Sequence, residues 1–311
     1  MVKPRRAGFR YWHETVLVAL LLGVLLYAAK TDPSFLKISS QTDALSNIWQ
    51  TALIAVPMTL IIITGGIDLS VGSTMALAAV VLGLTFERGL SPWLGSALAV
   101  LVGAGAGAVN GFFVTKVKVH PLILTLATLS AYRGIAAGVS LARPISGFPP
   151  SFLALSNGVP AILFALWAGG AAFLLAKTAP GLLIYGIGHN ETAMRYSGWR
   201  VDRAKFWLYT CSGATAGLAG VEYVARFNTA KADIGTGMEL DVITAVVLGG
   251  TSIFGGRGGI GGTLLGLLLI HEVREFVSWH WNRDEFNFIV VGALLVFSVL
   301  LNSFLSKPER E

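Results

Sequence analysis

The chain has 311 residues, of which 54% are hydrophobic and only 13% are charged, and its mean hydropathy is +0.69. Because soluble domains usually carry about 25% charged residues, this composition excludes a soluble globular protein. The net charge of +6 sits mainly between apolar blocks, so it predicts membrane topology rather than a nucleic-acid partner. The single cysteine, Cys211, excludes an internal disulfide and argues against a cysteine-based metal site.

Ten apolar blocks follow one another along the chain, each compatible with crossing a ~30 Å hydrocarbon core. They are Thr15–Ala29, Ala44–Thr64, Leu69–Phe86, Trp93–Val114, Pro121–Leu141, Val159–Leu175, Phe206–Tyr223, Leu240–Phe254, Gly258–Ile270 and Phe288–Leu301. Several blocks are short or interrupted by glycine, so eight or nine full spans with re-entrant pieces are the alternative. We predict an all-α integral membrane protein of about ten helices, with residues 1–311 forming a single transmembrane domain.

The distribution of basic residues predicts the orientation. With both termini in the cytoplasm, fourteen of the 23 Lys and Arg residues lie in inside segments, eight lie outside and Arg133 falls within a span. Cytoplasmic loops are the ones enriched in Lys and Arg, so this count favours cytoplasmic N- and C-termini.

The second and third blocks are separated by "TGGIDLSVGS", Thr64–Ser73. Gly65 and Gly66 predict a broken helix. A carboxylate at membrane depth costs a few kcal/mol on insertion scales, so we expect Asp68 to have a structural or functional role. Asp68 has two interpretations. It caps the helix Leu69–Phe86 by accepting its first N–H groups, or it contacts a substrate.

A similar interruption follows the eighth block. "AVVLGGTSIFGG" repeats the order of an apolar run, a glycine pair (Gly249 and Gly250), a short polar step with Ser252, and a second run. In the ten-span topology both breaks lie toward the cytoplasm. Paired glycine interruptions in two halves of a transporter are a pointer to its pathway.

Glycines also recur at four-residue spacing within the blocks. The two longer sets and one shorter pair are Gly103, Gly107 and Gly111; Gly258, Gly262 and Gly266; and Gly213 with Gly217. Such faces let helix backbones approach closely, so we expect them to pack helices within the subunit; a subunit interface or moving gate is the alternative.

The longest polar stretch is Thr178–Lys205, predicted to be cytoplasmic. Within it, "NETAMRYSGW" predicts a short helix capped by Asn190, with Glu191 in its first turn and Gly198 at its end. An ordered segment of this length between spans needs a purpose, and docking to a soluble partner through a surface that includes Ala193 is the natural one.

The chain lacks the G-x-x-x-x-G-K-[ST] motif that cradles nucleotide phosphates. A G-x-G-x-x-G pattern does occur at Gly256, Gly258 and Gly261, but apolar membrane-like runs flank it instead of a βαβ unit. We therefore expect no ATP site, no enzyme activity, no cofactor and no metal.

The motifs together resemble the permease subunits of bacterial ABC sugar importers, the ribose/xylose/arabinose group. The similarity is carried by Thr64–Ser73, Val109–Ala136, Gly186–Trp199 and Gly235–Ile270, in that order along the chain. "VPMTLIIITGGIDLSVGST" and "GFPPSF" resemble the autoinducer-2 and rhamnose permeases within that group.

The resemblance implies a permease of the bacterial inner membrane that moves a monosaccharide or related small sugar. Its partners would be a separate ABC ATPase, a periplasmic sugar-binding protein, a second permease subunit (identical or homologous) and membrane lipid. The ATPase would dock on the segment that contains Gly188, Asn190, Glu191, Ala193 and Gly198. The polar groups that we place nearest the sugar path are Asp68, Ser70, Asn110, Thr125 and Ser252.

Three other functions stay open on the residues alone. A branched-chain amino-acid importer permease has related patterning, although the spans contain no clear anionic or cationic cluster. An ion-coupled transporter would need embedded acids, for which Asp68 and Glu222 are the candidates. A membrane enzyme would need a convergent set of catalytic side chains, yet the five histidines lie at span ends or in loops.

Overall fold

A computed structural model of the protein describes residues 12–281, 286–287 and 289–296. Its elements are α1 (Trp12–Thr31), α2 (Ile38–Leu45), α3 (Trp49–Ile63), α4 (Val71–Glu87), α5 (Pro92–Phe112), α6 (Pro121–Ser140), β1 (Ile145–Ser146), α7 (Pro150–Leu153), α8 (Val159–Lys177), α9 (Ala179–Tyr196), α10 (Val201–Phe227), β2 (Thr229–Ala230), α11 (Met238–Leu248) and α12 (Ile260–Trp281). A π-helical turn, Phe113–Val117, extends α5, and a 3₁₀ turn, Ala154–Ser156, follows α7. Residues 289–296 are also helical.

The all-α membrane fold is confirmed. In the described part of the chain, four helices are long and apolar enough to span a membrane, namely α1, α5 with its π turn, α6 and α8; the bent pair α2–α3 makes a fifth. The count of ten spans stays a prediction. The predicted cytoplasmic termini lie outside the described residues, as do residue 288 and residues 297–301 of the last block, Phe288–Leu301.

The element bounds differ from the predicted blocks in three places. α11 stops at Leu248 because the second glycine pair begins there, whereas α12 runs on to Trp281, well past the apolar block. The polar stretch after α8 is also mostly helical. Thr178 accepts the N–H of Gly181 to start α9, and Leu183, Ile184 and Ile187 give that helix a buried apolar side.

α3, α4, α10 and α11 form most of the interior. α10 packs along α3, α4 and α5, and α11 packs between α3 and α12. Nearly every residue of α3 and α4 is buried. By contrast, α1, α6 and α8 leave large apolar side chains exposed, such as Leu26 at 70% and Leu166 at 70%. An apolar belt around an apolar interior is the arrangement that lipid stabilises and water does not.

Glycine contacts join the helix pairs. A Cβ added at Gly103 would lie 2.3 Å from the Gly213 carbonyl oxygen, and one at Gly107 would lie 2.2 Å from the Tyr209 carbonyl oxygen. Gly262 contacts Gly249 in the same way. These faces therefore pack helices within the subunit, as predicted, because no larger residue lets the backbones approach so closely.

Arg133 has a role that the sequence did not reveal. From the middle of α6 it donates hydrogen bonds of 2.8 and 2.5 Å to the carbonyl oxygens of Ala232 and Ile234. These residues belong to the non-helical connection from β2 to α11, which packs against Gly72 in α4. A half-buried cation thus satisfies backbone carbonyls that have no helical partner.

Candidate translocation and coupling site

The first glycine pair ends α3. Thr64 is the C-cap residue of α3. The next residue, Gly65, has φ +78°, a left-handed conformation that suits glycine. Gly66 is required for space instead, since a Cβ there would lie 2.8 Å from the Tyr209 hydroxyl oxygen. The chain then needs four more residues, 67–70, before α4 begins at Val71.

Asp68 is the centre of the polar residues in this break and is 1% exposed. Its Oδ1 accepts the backbone N–H and the hydroxyl of Ser70, at 3.0 and 2.7 Å. Its Oδ2 accepts the hydroxyl of Ser212 on α10, at 3.0 Å. The prediction that Asp68 caps a helix starting at Leu69 is wrong. The helix begins two residues later, Ser70 precedes it, and the carboxylate instead ties the break to α10.

Three further residues extend this arrangement into what we call the break network. Asn110 on α5 donates its amide N–H to Ser70 Oγ, at 2.8 Å. Tyr132 on α6 donates to the Ala106 carbonyl oxygen at 3.0 Å and lies 3.5 Å from Asn110 Oδ1. Thr125 contacts the Ile67 carbonyl oxygen at 3.4 Å. Four of the five predicted path residues, Asp68, Ser70, Asn110 and Thr125, therefore meet at one place.

Sequence reasoning missed the members on α10 and α6, namely Ser212, Tyr209 and Tyr132. The Tyr209 hydroxyl lies 3.3 Å from the Ile67 carbonyl oxygen. One signal was available: Tyr209 and Ser212 are three residues apart on a helix, so they share a face. Nothing in the sequence, however, tells which element that face meets.

The second glycine pair ends α11. Gly250 has φ +88°, and Gly255, Gly256 and Gly258 also have positive φ, at +84°, +76° and +145°. Ser252 lies inside this second break. Its backbone N–H donates to the carbonyl oxygen of Arg257, and its carbonyl oxygen accepts from the backbone N–H of Gly255. Among the described residues, no hydrogen bond joins Ser252 to the break network, so it belongs to a separate part of the site.

The two breaks meet each other. The Gly256 N–H donates a 2.8 Å hydrogen bond to the Ile63 carbonyl oxygen, which closes the end of α3 with a group from the second break. Gly188 of α9 lies against both partners: a Cβ there would lie 1.9 Å from the Ile63 oxygen and 2.2 Å from the Gly256 nitrogen. We call this three-way contact of Ile63, Gly188 and Gly256 the glycine junction.

The residues after the junction form the predicted short helix. Asn190 interrupts α9 with φ −159° and ψ 95°, and its Oδ1 accepts the N–H of Ala193 at 2.9 Å. This is the side-chain cap expected from the sequence. Gly198 has φ +82° where the helix ends, also as expected. Ala193 is exposed, so the helix presents a small residue to the solvent.

Five charged residues hold this helix against the rest of the molecule. Arg195 donates to Glu191 at 2.6 Å and to Asp202 at 2.5 Å, and Lys118 donates to Asp202 at 2.7 Å. Lys205 also donates to Glu191. The cluster joins α9, the start of α10 and the loop after α5. A displacement of the short helix would therefore also displace the two segments that it contacts.

Asp202, which precedes the predicted span of α10, gives this cluster a pH dependence. Its hydrogen bond from Arg195, with a smaller one from Lys118, lowers the pKa of Asp202 from 3.8 to about 2 against the opposing effect of burial. A lowered pKa stabilises the folded state above the unfolded pKa, and the benefit is lost as pH falls through the folded value.

We therefore expect the short helix to be equally protected from proteolysis from pH 8 to roughly pH 5, and to lose protection between about pH 4 and pH 2. Asp202→Asn should expose the Arg195–Arg200 region at every pH and remove that dependence. Limited proteolysis of the purified protein, with an acid-active protease below pH 5 and a neutral protease above it, followed by mass spectrometry, measures both. A pH profile unchanged by Asp202→Asn would contradict the role given to this residue.

Comparison with known proteins identifies the family. The model of a permease-component family, described as branched-chain amino acid transport system / permease component, matches residues 42–299. The chain belongs to this family of transport permeases. No solved structure matches it.

Curated relatives match this permease over nearly their whole length. The autoinducer 2 import system permease protein LsrD of Yersinia pseudotuberculosis (strain YPIII) is 32% identical over 303 residues, which cover 94% of this chain and 91% of the relative. The proteins of the same name from Enterobacter sp. (strain 638) and Photorhabdus laumondii are each 33% identical, covering 93% and 94% of this chain and 92% of each relative. The resemblance to ABC sugar permeases is thereby confirmed, as is its leaning toward autoinducer-2 importers; nothing bears on rhamnose.

Proposed function

We infer that this permease moves autoinducer-2 or a similarly small, hydroxylated sugar across the bacterial inner membrane, with energy from a separate ATPase. The observation that supports this best is the glycine junction, because it connects an exposed helix directly to both helix breaks. A chain without an ATP site needs such a link to convert movement of a partner into movement of the pathway.

The polar groups at the first break suit an uncharged solute. The one carboxylate in the break network, Asp68, already accepts three hydrogen bonds, and the other members are hydroxyl and amide groups. A path through this region offers hydrogen bonds rather than net charge, as a sugar requires. We propose that Asp68, Ser70, Asn110 and Thr125 form its wall beside the first break, and that Ser252, Gly249 and Gly250 form the wall at the second.

The partners follow from the same arrangement. We propose that the ATPase docks on Gly188–Gly198, that a periplasmic binding protein delivers the solute at the opposite end, and that a second permease subunit completes the transporter. The exposed apolar sides of α1, α6 and α8 are left for lipid and for that second subunit.

Reconstitution tests the proposal. Proteoliposomes that contain the permease, its ATPase and partner permease, with loaded binding protein outside, should accumulate autoinducer-2 only when ATP is present inside. Uptake driven by a proton or sodium gradient without ATP would contradict the proposal and support an ion-coupled transporter. ATP-driven uptake of L-leucine but not of autoinducer-2 would support the substrate class named in the family description.

The docking surface can be tested separately with Ala193→Arg. Ala193 is exposed, so the change should leave the fold intact while it adds bulk and charge where the ATPase binds. We expect a loss of ATPase co-purification and a fall in uptake of at least tenfold. Val117→Arg is the matched control, because it adds the same charge to another exposed position, at the end of the π turn that extends α5. Normal co-purification and uptake in Ala193→Arg would rule out this surface.

A further inference from the structure

A cavity of about 260 Å³ lies at the end of the bundle away from the glycine junction. It is bounded by the start of α3, the end of α10, the start of α11 and the last turns of α12, which are the predicted outward ends. Its walls include Asn47, Gln50, Tyr223, Phe227, Asp241 and Arg274. This volume lies just below the ~300–1,000 Å³ of most small-molecule sites, so it suits a compact solute.

Several polar groups at this cavity are buried without a partner. Gln50 is 3% exposed and its Nε2 makes no hydrogen bond of ordinary geometry, although Glu222 lies beside it; Asn287 is 5% exposed and its Oδ1 has no donor. The Nε2 atom of His271 is in the same condition. Buried polar atoms are hydrogen-bonded in the great majority of cases, so this concentration of unused donors and acceptors in one cavity indicates a missing partner that can both donate and accept.

A buried carboxylate adds to the set. Glu222 of α10 is 5% exposed, and neither of its oxygens has a hydrogen bond of ordinary geometry. The side-chain amide of Gln50 lies within hydrogen-bonding reach of this carboxylate. Gln50 therefore stands between this acid and the cavity, and a hydroxyl group in the cavity could bond to the side-chain amide and complete the chain.

The charges and aromatic rings of the walls favour an uncharged ring. Asp241 and Arg274 form an ion pair with each other, and the third charged wall residue, Glu275, interacts with Asn47 and Arg274, so the cavity holds no cation that is separate from a carboxylate. Tyr223 and Phe227 also line the cavity, with ring centroids 4.6 Å apart. A wall that combines aromatic rings with amides matches a sugar, whose C–H face is apolar and whose edge carries hydroxyls.

We propose that this cavity is a binding site for a small polyhydroxylated solute, occupied as the solute enters the permease from outside and before it reaches the breaks. The inference rests on the proposed function and adds to it the place of entry. It assigns Gln50 and Asn287 as hydrogen-bonding groups to the solute.

The single native cysteine makes a direct test possible. In a Cys211→Ser background, Ser278→Cys puts a thiol in the cavity wall, and His280→Cys puts one on the exposed surface two residues away. Right-side-out vesicles carrying the whole transporter are treated with a membrane-impermeant maleimide, with and without autoinducer-2 delivered by its binding protein. We expect both thiols to react from outside, and the sugar to slow labelling of position 278 severalfold while position 280 is unaffected.

Uptake of autoinducer-2 by the same vesicles separates the two claims. Equal labelling of position 278 with and without the sugar, in vesicles that transport it, overturns the cavity site and leaves the proposed function standing; the cavity then holds water only. A position 278 thiol that reacts only after the vesicles are opened also overturns it. Failure of every preparation to take up autoinducer-2 overturns the proposed function, and the entry site with it. Thr51→Cys, on the α3 wall, replaces Ser278→Cys if the latter does not assemble.

A polar-to-apolar change gives an independent measurement. Gln50→Leu keeps the side-chain size but removes the amide, so we expect uptake to fall about tenfold with the ATPase still bound. Trp167→Phe is the matched control, because it also removes a buried N–H that lacks a partner, at a distant position on α8. Normal uptake by Gln50→Leu would contradict the role of this residue.

Discussion

Replacing Gly188 with alanine is expected to abolish transport while the protein still folds. The added Cβ would lie 1.9 Å from the Ile63 carbonyl oxygen and 2.2 Å from the Gly256 nitrogen, and both are backbone atoms that cannot rotate away. α9 must therefore move off the two breaks, which breaks the glycine junction. Overpacking of this kind typically costs about 1–3 kcal/mol, and a loss of 1.4 kcal/mol in coupling already amounts to roughly tenfold in rate.

Helix propensity cannot explain such a loss. Gly188 lies within α9, and alanine is the better helix former by about 1 kcal/mol, so the substitution strengthens the helix itself. The expected result is uptake reduced at least tenfold in reconstituted vesicles, with ATP hydrolysis continuing but no longer stimulated by loaded binding protein.

Gly186→Ala is the control, since it lies two residues earlier on the same helix. Its added Cβ would meet the Sδ and Cε atoms of Met194, the flexible end of a side chain, and this can move at small cost. We expect near-normal uptake. Equal loss in both variants would mean that any added methyl group on α9 disrupts transport, and normal uptake by Gly188→Ala would remove the junction from the mechanism.

The second large effect is expected at Asp68, where the size of the loss should follow the hydrogen bonds that each side chain can replace. Asparagine keeps an oxygen for Ser70 and can donate to the Ser212 hydroxyl. Serine can still accept from the Ser70 N–H but is too short for Ser212. Alanine leaves three buried donors without an acceptor, at about 1–3 kcal/mol for each, and leucine adds bulk. We expect uptake in the order Asn, Ser, Ala, Leu.

Uptake into cells without the native permease, normalised to the amount of protein in the membrane, measures this series. Ser212→Ala is the matched control from the other side of the contact: it removes one of the three hydrogen bonds and should cost less than Asp68→Ala. An ion-coupled transporter would behave differently, because it needs a group that ionises. An Asp68→Asn variant that is expressed normally but shows no uptake would falsify the structural role and favour that alternative.

The sequence by itself determined the features that depend on neighbouring residues. The apolar blocks placed the helices, since twenty consecutive apolar residues have few other stable states. The glycine pairs placed both breaks, because Gly65 and Gly250 adopt backbone conformations that few other residues tolerate. Asn190 predicted the short helix, since the group that it caps is only three residues away. In each case, cause and effect lie within one continuous segment of the chain.

Asp68 shows where local reasoning fails. An acid just before an apolar run is a normal helix cap, and the sequence offered no reason to prefer another partner. The carboxylate instead bonds to Ser70, two residues away, and to Ser212, 144 residues away. These groups take three of the carboxylate's roughly four acceptor positions, and none of the three hydrogen bonds comes from the first turn of α4. The outcome depended on which face of α10 packs against the break.

Only the tertiary structure decided what the site connects. The glycine junction joins Ile63, Gly188 and Gly256, and the cavity lined by Gln50 joins four helix ends from positions 47 to 287. Arg133 looked like an unexplained charge in a span until the carbonyls of Ala232 and Ile234 were placed beside it. Hydrogen bonds and close backbone contacts act over about 3 Å, so their partners are fixed by how the helices pack, and the spacing of residues along the chain does not specify that packing.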